Sequence, residues 1–423
     1  MTRSAHSSSL NEKLCVFVFA QLLLIFVFFS CSANAEKIEV KGPLDLSQAL
    51  DAAKGGDIIE LTGEEPYSLL VKGHTYVPAI TLTSKSREHP VSLTEVGIFQ
   101  TTGVNIDHIK INPSLKPNPN QPRTIQITQS HNIVFSNCIA TGSAVGYLSE
   151  ANAAASTAEN FAMIRWSSHI EFSKNKITNF MQGLAFLEST DIKIEENDVA
   201  FLQGDSIRMG GVQRVDISDN SFHDFFGADT SINHEDMIQI WSTNAELVSS
   251  DITISHNRFL SGNGPSTQSI FVRNEQADGK VAAPDRFYSN ITVVDNLIHN
   301  GHSHGITIGE TNGVIIKNNT LLPNPSSSMG TGTKRQNLIP SIKVCKACTG
   351  VVVDHNVAGG VTVPPTSSVS QNYNYGGEGS LMEKKLSELY TAQSFAGKLP
   401  DEAYKVKNGN FLSQNKIGSS FTF

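Results

Sequence analysis

The sequence contains little cysteine, with 5 residues in 423. Only Cys138, Cys345 and Cys348 follow the first 35 residues, and the last two form a Cys-Lys-Ala-Cys segment. A zinc site would need further ligands at metal spacing, and none accompany this pair. The two thiols could instead close one small disulfide in an oxidising compartment. We therefore interpret the pair as a loop staple or as two packed thiols.

An excess of positive charge is also missing. The chain has 32 Lys and Arg residues against 40 Asp and Glu residues, a formal net charge of −8. A general nucleic-acid-binding protein would carry the opposite sign, since it must neutralise phosphates. We expect no nucleic-acid partner, although a local basic groove is compatible with this balance.

Hairpin signals are scarce as well. Antiparallel sandwiches join paired apolar runs by tight turns such as Asn-Gly, and few such turns occur between the apolar runs here. Their scarcity argues against an antiparallel sandwich.

One long apolar run is present, near the N-terminus. Lys13 precedes the run from Leu14 to Ser30, and Ala33-Asn34-Ala35 places small residues at the −3 and −1 positions of a cleavage site. This pattern predicts a signal peptide over residues 1–35, with an uncleaved membrane anchor as the alternative. We expect a secreted or periplasmic protein whose folded part is 36–423.

From residue 126 onward a short sequence motif recurs, which we call the asparagine phrase. It consists of alternating apolar positions followed by asparagine. The phrases end at residues 137, 175, 197, 220, 257, 296, 319 and 356, with intervals of 38, 22, 23, 37, 39, 23 and 37. Repetition at this period predicts a parallel β-solenoid, one turn per phrase. The longer intervals contain either a loop of roughly 15 residues or a second, degenerate turn. We expect the asparagines at corners, in positive φ and in hydrogen-bonded ladders.

The opening segment reads as a cap for this stack. Apolar spacing over 46–53 predicts a short helix, ended by Gly55-Gly56 because glycine tolerates a left-handed helix cap. A strand should follow over 57–61, and the unit would cover the open end of the stack. We predict one all-β domain with an N-terminal cap at about 40–62, coils at about 63–360 and a C-terminal cap at about 361–423, including a helix over 382–392.

A second column of Ile-x-apolar strands lies upstream of the asparagine phrases. If the flanking apolar residues point inward, the central residue of each points outward. The outward column is then Arg165, Ala185, Arg208, Gln239, Phe271, Thr307 and Lys343, with Trp241 and Arg273 at the next outward position. We predict a groove for an extended anionic polymer, with Arg208, Gln239, Trp241, Phe271 and Thr307 binding substrate. An ordinary solvated sheet face is the alternative.

Titratable residues cluster in the loops beside three of these strands. They are His234, Glu235, Asp236, Arg273, Glu275, His302, His304 and Glu310. Any one histidine could simply satisfy a loop backbone. Clustering on adjacent coils is, however, how catalytic groups are assembled.

The helix, Gly-Gly-Asp turn and strand, followed by asparagine-punctuated coils, resembles the right-handed parallel β-helix, or pectate-lyase-like, superfamily. The opening LSQALDAAKGGDIIEL looks most like the alginate lyase and chondroitinase B group. The resemblance implies a polysaccharide-active enzyme: a lyase, an epimerase or a glycosidase. It also implies that Ca²⁺ could neutralise a substrate carboxylate, with Glu235, Asp236, Glu275 and Glu310 as oxygen ligands.

The residue types favour chemistry at a uronic acid. Removing the proton beside a sugar carboxylate needs a cation, a base and an acid. Arg208, Arg273 or Lys343 could neutralise the carboxylate, an imidazole of His234, His302 or His304 could be the base, and Lys343 or a second histidine could be the acid. With Asp236 in the same cluster, the predicted catalytic residues are His234, Asp236, Arg273, His302, His304 and Lys343.

Two departures limit the choice of reaction. The Asp-Pro-His triplet of mannuronan epimerases is missing. Gly301-His302-Ser303-His304-Gly305 and Ser341-Ile342-Lys343 echo polygalacturonase segments, but the paired aspartates on adjacent strands that inverting hydrolysis requires are not recognisable. We expect a monomeric lyase or C5-epimerase acting on a uronate polymer such as alginate. A polygalacturonase-like hydrolase and a non-catalytic carbohydrate-binding surface protein are the alternatives.

Overall fold

The computed structural model describes residues 35–113, 123–146, 158–227, 235–264, 267–278, 283–324, 327, 339–376, 380–391 and 404–423. All of them belong to one compact unit that begins at Ala35. No helix in these ranges is long and apolar enough to cross a membrane.

The strands stack into three parallel ladders that share one apolar interior. The first ladder consists of β1 Lys37–Val40, β2 Ile58–Leu61, β4 Thr75–Ser84, β6 Thr102–Asp107, β9 His131–Ser136, β12 Ser168–Ser173, β15 Thr190–Glu195, β18 Gln213–Ser218, β21 Ser250–Ser255, β24 Tyr288–Val294, β27 Thr311–Lys317, β30 Thr349–Asp354 and β33 Ser368–Ser370.

The second ladder carries the outward column of the sequence analysis. It consists of β3 Tyr67–Lys72, β5 Ser92–Phe99, β8 Arg123–Thr128, β11 Asn160–Arg165, β14 Gln182–Leu187, β17 Ile207–Gly210, β20 Asp236–Trp241, β23 Gln268–Val272, β26 His304–Ile308, β29 Ser341–Val344 and β32 Val361–Thr362.

The third ladder is made of short strands and joins the second through β5. It consists of β7 Lys110–Ile111, β10 Ile139–Thr141, β13 Lys176–Thr178, β16 Asp198–Ala200, β19 Ser221–His223, β22 Arg258–Leu260, β25 Leu297–Asn300, β28 Thr320–Pro323, β31 Val357–Ala358 and β34 Tyr373–Asn374. The predicted all-β parallel β-helix is confirmed.

Each coil visits the first, third and second ladders in turn, whether its asparagine interval is short or long. Strand β12 pairs with β15 across a short interval, and β18 pairs with β21 across a long one. A long interval is therefore one coil with an inserted loop, and the alternative of a hidden degenerate turn is wrong. Alternating strand residues place isoleucine, valine and phenylalanine inside, where Ile252, Ile291 and Val314 stack fully buried.

An asparagine ladder lies at the corner between the first and third ladders. Asn257 shows the pattern: its backbone N–H donates to Asn296 Oδ1 at 2.9 Å, and its side-chain amide donates to the Ile217 carbonyl at 2.8 Å. The same contacts link Asn175, Asn197, Asn220, Asn257, Asn296, Asn319, Asn356 and Asn372. The predicted stacking is confirmed.

Two details of that prediction are wrong. The first ladder position is held by Cys138, whose N–H donates to Asn175 Oδ1 at 2.9 Å, so Asn137 lies one residue before the ladder. Positive φ falls on the residue before each stacked asparagine, such as Lys174 or His256, and not on the asparagine itself. The chain turns at the residue with positive φ, and the asparagine that follows points its side-chain amide inward.

The N-terminal cap contains helix α1 at Pro43–Ala52, which buries Leu46, Ala49 and Leu50. The helix ends at Ala53 in an extended conformation, so the expected left-handed glycine cap is wrong. The glycines act in the turn that follows. Gly56 has φ +91°, and a Cβ on Gly55 would lie 2.2 Å from the Val77 carbonyl oxygen.

The C-terminal segment packs against the third ladder. It includes α2 at Ser380–Leu389, which agrees with the predicted helix, and α3 at Phe411–Asn415. Leu386, Tyr390 and Leu412 join a second apolar cluster with Leu297 and Leu322 of the third ladder. This cluster leaves the outer face of the second ladder uncovered by the described C-terminal residues.

Candidate active site

The outer face of the second ladder brings the predicted groove residues into one row. Arg208, Gln239, Phe271, Thr307 and Lys343 are register partners on five neighbouring strands, and each is partly exposed. With about 4.8 Å between strands, Arg208 and Lys343 are separated by roughly 19 Å along the row.

Arg165 does not belong to this row. Met163 pairs with Ala185, whereas Arg165 pairs with Leu187, at the level of Gly210 and Trp241. The predicted alignment of Arg165 with Ala185 is wrong by two residues, which keeps the side chain outward and moves it to the neighbouring row.

Arg208 occupies one end of the groove and is already engaged by neighbours. Its Nε atom lies 3.0 Å from the Asp205 carboxylate, and one terminal nitrogen donates to Gln182 Oε1 at 3.2 Å. Its guanidinium also lies over the Trp241 ring, 5.0 Å from the centroid. This end therefore presents an arginine–aromatic platform whose charge is partly balanced by a buried carboxylate.

Asp236 begins β20, directly beside this platform. Its backbone N–H donates to Asp205 Oδ1 at 2.8 Å, and its own carboxylate accepts from the Gln239 amide at 2.9 Å. Asp236 is fully buried and Asp205 nearly so. Since β17 and β20 are paired, two acidic residues do lie on adjacent coils. The sequence did not make this pair recognisable, because Asp205 lies before β17 rather than on it.

His302 and His304 lie in the other half of the groove, the half that ends at Lys343. The Phe271 and His304 rings stack in parallel with centroids 5.2 Å apart, and the two imidazoles meet edge to face at 4.9 Å. His304 Nδ1 lies 2.6 Å from Gln268 Oε1, and the His304 backbone N–H donates to His302 Nδ1 at 3.0 Å. Three contacts thus fix the orientation of His304.

These contacts assign opposite tautomers to the two neutral rings. An amide oxygen can only accept, so His304 carries its proton on Nδ1 and has a lone pair on Nε2. His302 accepts at Nδ1 and therefore carries its proton on Nε2. Burial, then His304 and Lys343, lower the pKa of His302 to about 4. Burial and Lys343 also lower the pKa of His304, so both rings are neutral at pH 7.

Lys343 lines an open pocket of about 280 Å³ with Phe271, Thr307 and Glu310. Within the described ranges its ammonium makes no ion pair. Arg273 and Asp278 lie at the rim of the same pocket, joined by a contact of 2.8 Å. Among the described residues, Lys343 is consequently the cation of this half without an anionic partner, whereas Arg273 is paired with Asp278.

The predicted metal ligands occupy separate surroundings. A Glu275 carboxylate oxygen accepts the Ser242 N–H at 2.8 Å, Glu310 lines the Lys343 pocket, and Glu235 is buried beside Gly227. No group of three or more His, Cys, Asp or Glu side chains among the described residues is placed to hold a metal ion. His234 lies outside the described residues.

Two residues of the site were not predicted. Asp205 stands two residues before Ile207, as Asp236 stands two residues before Ile238, so the shared position relative to the isoleucine was a usable signal. Gln268 orients His304 from the neighbouring strand, and nothing in its sequence context marks that contact.

Comparison with known proteins agrees with the fold. Residues 160–282 match the family model described as a right-handed β-helix region. No curated protein sequence matches the chain significantly.

Several solved structures are similar to this chain at low identity. The Streptococcus pneumoniae surface protein and adhesin PfbA is 12% identical, with 80% of this chain and 89% of that chain covered and a TM-score of 0.47. The DFA-IIIase of Arthrobacter chlorophenolicus A6 is 12% identical, with 78% and 87% covered and a TM-score of 0.48. The PL6 family alginate lyase AlyGC is 14% identical with a TM-score of 0.41, and 79% of this chain spans only 51% of that chain.

Likeness at these identities concerns the fold alone, and strand register together with the family match decides the assignment. The chain is a right-handed parallel β-helix protein.

Proposed function

We propose that the protein is a polysaccharide-active enzyme that removes the C5 proton of a uronic-acid residue, by β-elimination or by C5 epimerisation. One observation carries the proposal: His304 has its Nδ1 proton directed at Gln268 and a lone pair on Nε2, with Lys343 on the adjacent strand. A neutral, oriented base beside a cation without an ion-pair partner in the described part of the chain is the combination that proton abstraction next to a carboxylate requires.

The roles follow from the charges. Lys343 binds the sugar carboxylate and stabilises the negative charge that develops when C5 loses its proton. His304 Nε2 accepts that proton and becomes an imidazolium. In elimination the same proton passes to the departing glycosidic oxygen, and in epimerisation a proton is returned to C5 from the opposite face. His302 donates its Nε2 proton as a hydrogen bond to substrate, since its lowered pKa keeps it neutral.

The rest of the row would bind the polymer. A chain lying across β17 to β29 meets Arg208 and Trp241 at one end and Lys343 at the other, with Gln239, Phe271 and Thr307 between them. Aromatic faces suit sugar rings, and separated cations suit repeating carboxylates. An anionic polysaccharide is therefore the proposed substrate, with alginate the first polymer to test. Export by the predicted signal peptide would bring the enzyme, acting as a monomer, to such a polymer.

Hydrolysis is a second candidate, favoured by the contact between Asp205 and Asp236. Inverting glycosidases use two carboxyl groups about 6.5–9.5 Å apart, one as acid and one as base. Asp236 begins β20, Asp205 precedes the paired strand β17, and the Asp236 N–H donates to Asp205 Oδ1. In this case His304 and Lys343 would bind the substrate rather than act at C5.

One product analysis separates the candidates. The purified protein is incubated with alginate, pectate and glycosaminoglycans while absorbance from 4,5-unsaturated uronate, reducing ends and epimer ratio are recorded. Unsaturation or a changed epimer ratio supports the proposal. Reducing ends without unsaturation would establish hydrolysis, and unchanged polymer that still binds would establish a carbohydrate-binding protein.

A further inference from the structure

The two cysteines of the 345–348 turn form an asymmetric pair beside the groove. This turn links β29 of the second ladder to β30 of the first. The Cys345 and Cys348 Sγ atoms are 2.7 Å apart. Their separation and their placement in one tight turn allow a disulfide to form without moving either strand.

The two thiols differ in access. Cys345 is partly exposed and lines the same pocket as Lys343 and Glu310. Cys348 is buried, with its Sγ atom 3.0 Å from the Gly309 carbonyl oxygen. An external reagent can therefore reach Cys345 more easily than the buried Cys348.

The two thiols also differ in acidity, and the more accessible thiol is the more acidic one. The hydrogen bond from Cys348 lowers the pKa of the Cys345 thiol, helped by the backbone N–H groups of Ala347 and Cys348 and opposed by burial. The hydrogen bond to Cys345 and burial raise the pKa of Cys348. A reachable thiol with a lowered pKa and a buried partner with a raised one is the division between an attacking and a resolving cysteine.

We propose that Cys345 and Cys348 form a redox-active couple that reacts with external low-molecular-weight disulfides, with Cys345 as the attacking thiol and Cys348 as the resolving thiol. The Cys345 thiolate attacks one sulfur of the external disulfide, whose sulfur–sulfur bond breaks and releases one thiolate that takes up a proton. Cys348 then loses its proton and attacks Cys345 Sγ, which releases the second thiol. The protein dithiol loses two electrons and two protons, and the external disulfide is reduced to two thiols.

The intermediate has a consequence for the groove. A mixed disulfide on Cys345 would place the captured group in the pocket that Lys343 lines. The couple is thus positioned to control access to that end of the groove, whatever reaction the groove performs.

The test uses the full chain and glutathione disulfide as the probe, with intact-mass and peptide-mapping mass spectrometry. We expect wild-type protein to lose two hydrogen atoms and form the Cys345–Cys348 disulfide. Cys348→Ser should stop at glutathione on Cys345, whereas Cys345→Ser should capture little or none. Cys138 is the internal control, because it is buried and burial raises the pKa of its thiol to about 12.

A measurement on unmodified protein guards against variants that misfold. Short exposure of the reduced wild type to iodoacetamide should label Cys345 about tenfold or more faster than Cys348. Equal labelling of the two thiols, equal glutathione capture by the two variants, or a dithiol that stays reduced in excess glutathione disulfide would each overturn the proposal. None of these outcomes depends on whether the protein degrades a polysaccharide.

Discussion

His304 and Gln268 are joined across two neighbouring strands by a hydrogen bond of 2.6 Å between Nδ1 and Oε1. The stacking of His304 on Phe271 keeps the ring in the plane that this bond needs. Because the amide oxygen accepts the Nδ1 proton, the lone pair of the neutral ring is on Nε2, the atom that we propose as the base. The proposed role of His304 depends on this pair.

Changing the acceptor should therefore change the basicity of His304. In Gln268→Glu a carboxylate faces Nδ1 and favours the imidazolium, so the pKa of His304 should rise by about one unit. The acidic limb of the pH–rate profile should move upward with it. Gln268→Leu removes the acceptor and should lower turnover about tenfold or more. Histidine NMR titration reads the pKa without turnover, and an unchanged titration in Gln268→Glu would show that the pair does not control His304.

Removing the Lys343 charge should affect anionic substrates selectively. In Lys343→Met the carboxylate loses its cation, and turnover should fall about 10²-fold or more because that charge acts in the transition state. Lys193→Met is the matched control, since Lys193 is an exposed lysine on the first ladder. Steady-state kinetics on the same polymer compares the two. Equal, small effects would remove Lys343 from the reaction.

Low pH should destabilise the protein through His302. Its pKa is about 4 in the folded chain, below the ordinary value of 6.5, so the unfolded chain binds the proton first. The stability it contributes is present above pH 6.5 and is lost as pH falls toward 4, by on the order of 2 kcal/mol. Urea unfolding across this range should show a smaller loss for His302→Asn. His89→Asn, at an exposed histidine, should retain the wild-type slope.

High pH should act through a different histidine, on the third ladder. Burial alone would lower the pKa of His223, but hydrogen bonds to Asp198 at 2.6 Å and Asp224 at 2.8 Å raise it to about 9. The stability that protonated His223 contributes to the fold is therefore fully present below pH 6.5 and is lost as pH rises through 9. We expect the thermal midpoint of His223→Gln to vary less with pH between 6.5 and 9. A wild-type and variant difference that is constant over this range would contradict the charge assignment.

The asparagine ladder should be the most sensitive polar feature of the fold. Asn257→Ala removes the acceptor of two Asn220 N–H groups and the donor to the Ile217 carbonyl, all buried. A loss of about 3 kcal/mol in unfolding free energy is expected. Asn105→Ala, on the outer face of the first ladder with one contact of 3.5 Å, should cost less than about 0.5 kcal/mol. Similar costs for the two would mean that the ladder is dispensable.

The sequence was sufficient to predict the fold and the row from Arg208 to Lys343, because repetition and period-two alternation both constrain strand register. The prediction failed where the sequence pattern allows two registers. The apolar residues from Phe161 to Ile164 can be aligned two ways, and Arg165 was placed two residues off. Cys138 occupies a ladder position through its N–H bond to Asn175 Oδ1, so a search for asparagine selects Asn137 instead.

The contacts within the site could not be predicted from the sequence. Arg273 was a reasonable choice for binding a carboxylate, but it pairs with Asp278, five residues later, after the chain turns back. The roles of Gln268 and Asp205 depend on side-chain orientation across neighbouring strands. Periodicity predicts which strand a residue occupies and which face of the sheet it lies on. It does not predict which neighbouring residue the side chain contacts.

The fate of the substrate C5 hydrogen tests the central claim most directly. A polymer that the protein converts is incubated in D₂O with wild type, His304→Gln and Lys193→Met, and its products are examined by NMR. We predict that wild type and Lys193→Met remove the C5 hydrogen, leaving either a 4,5-double bond or deuterium at C5, and that His304→Gln does neither. Conversion by wild type with every C5 hydrogen retained would contradict the account.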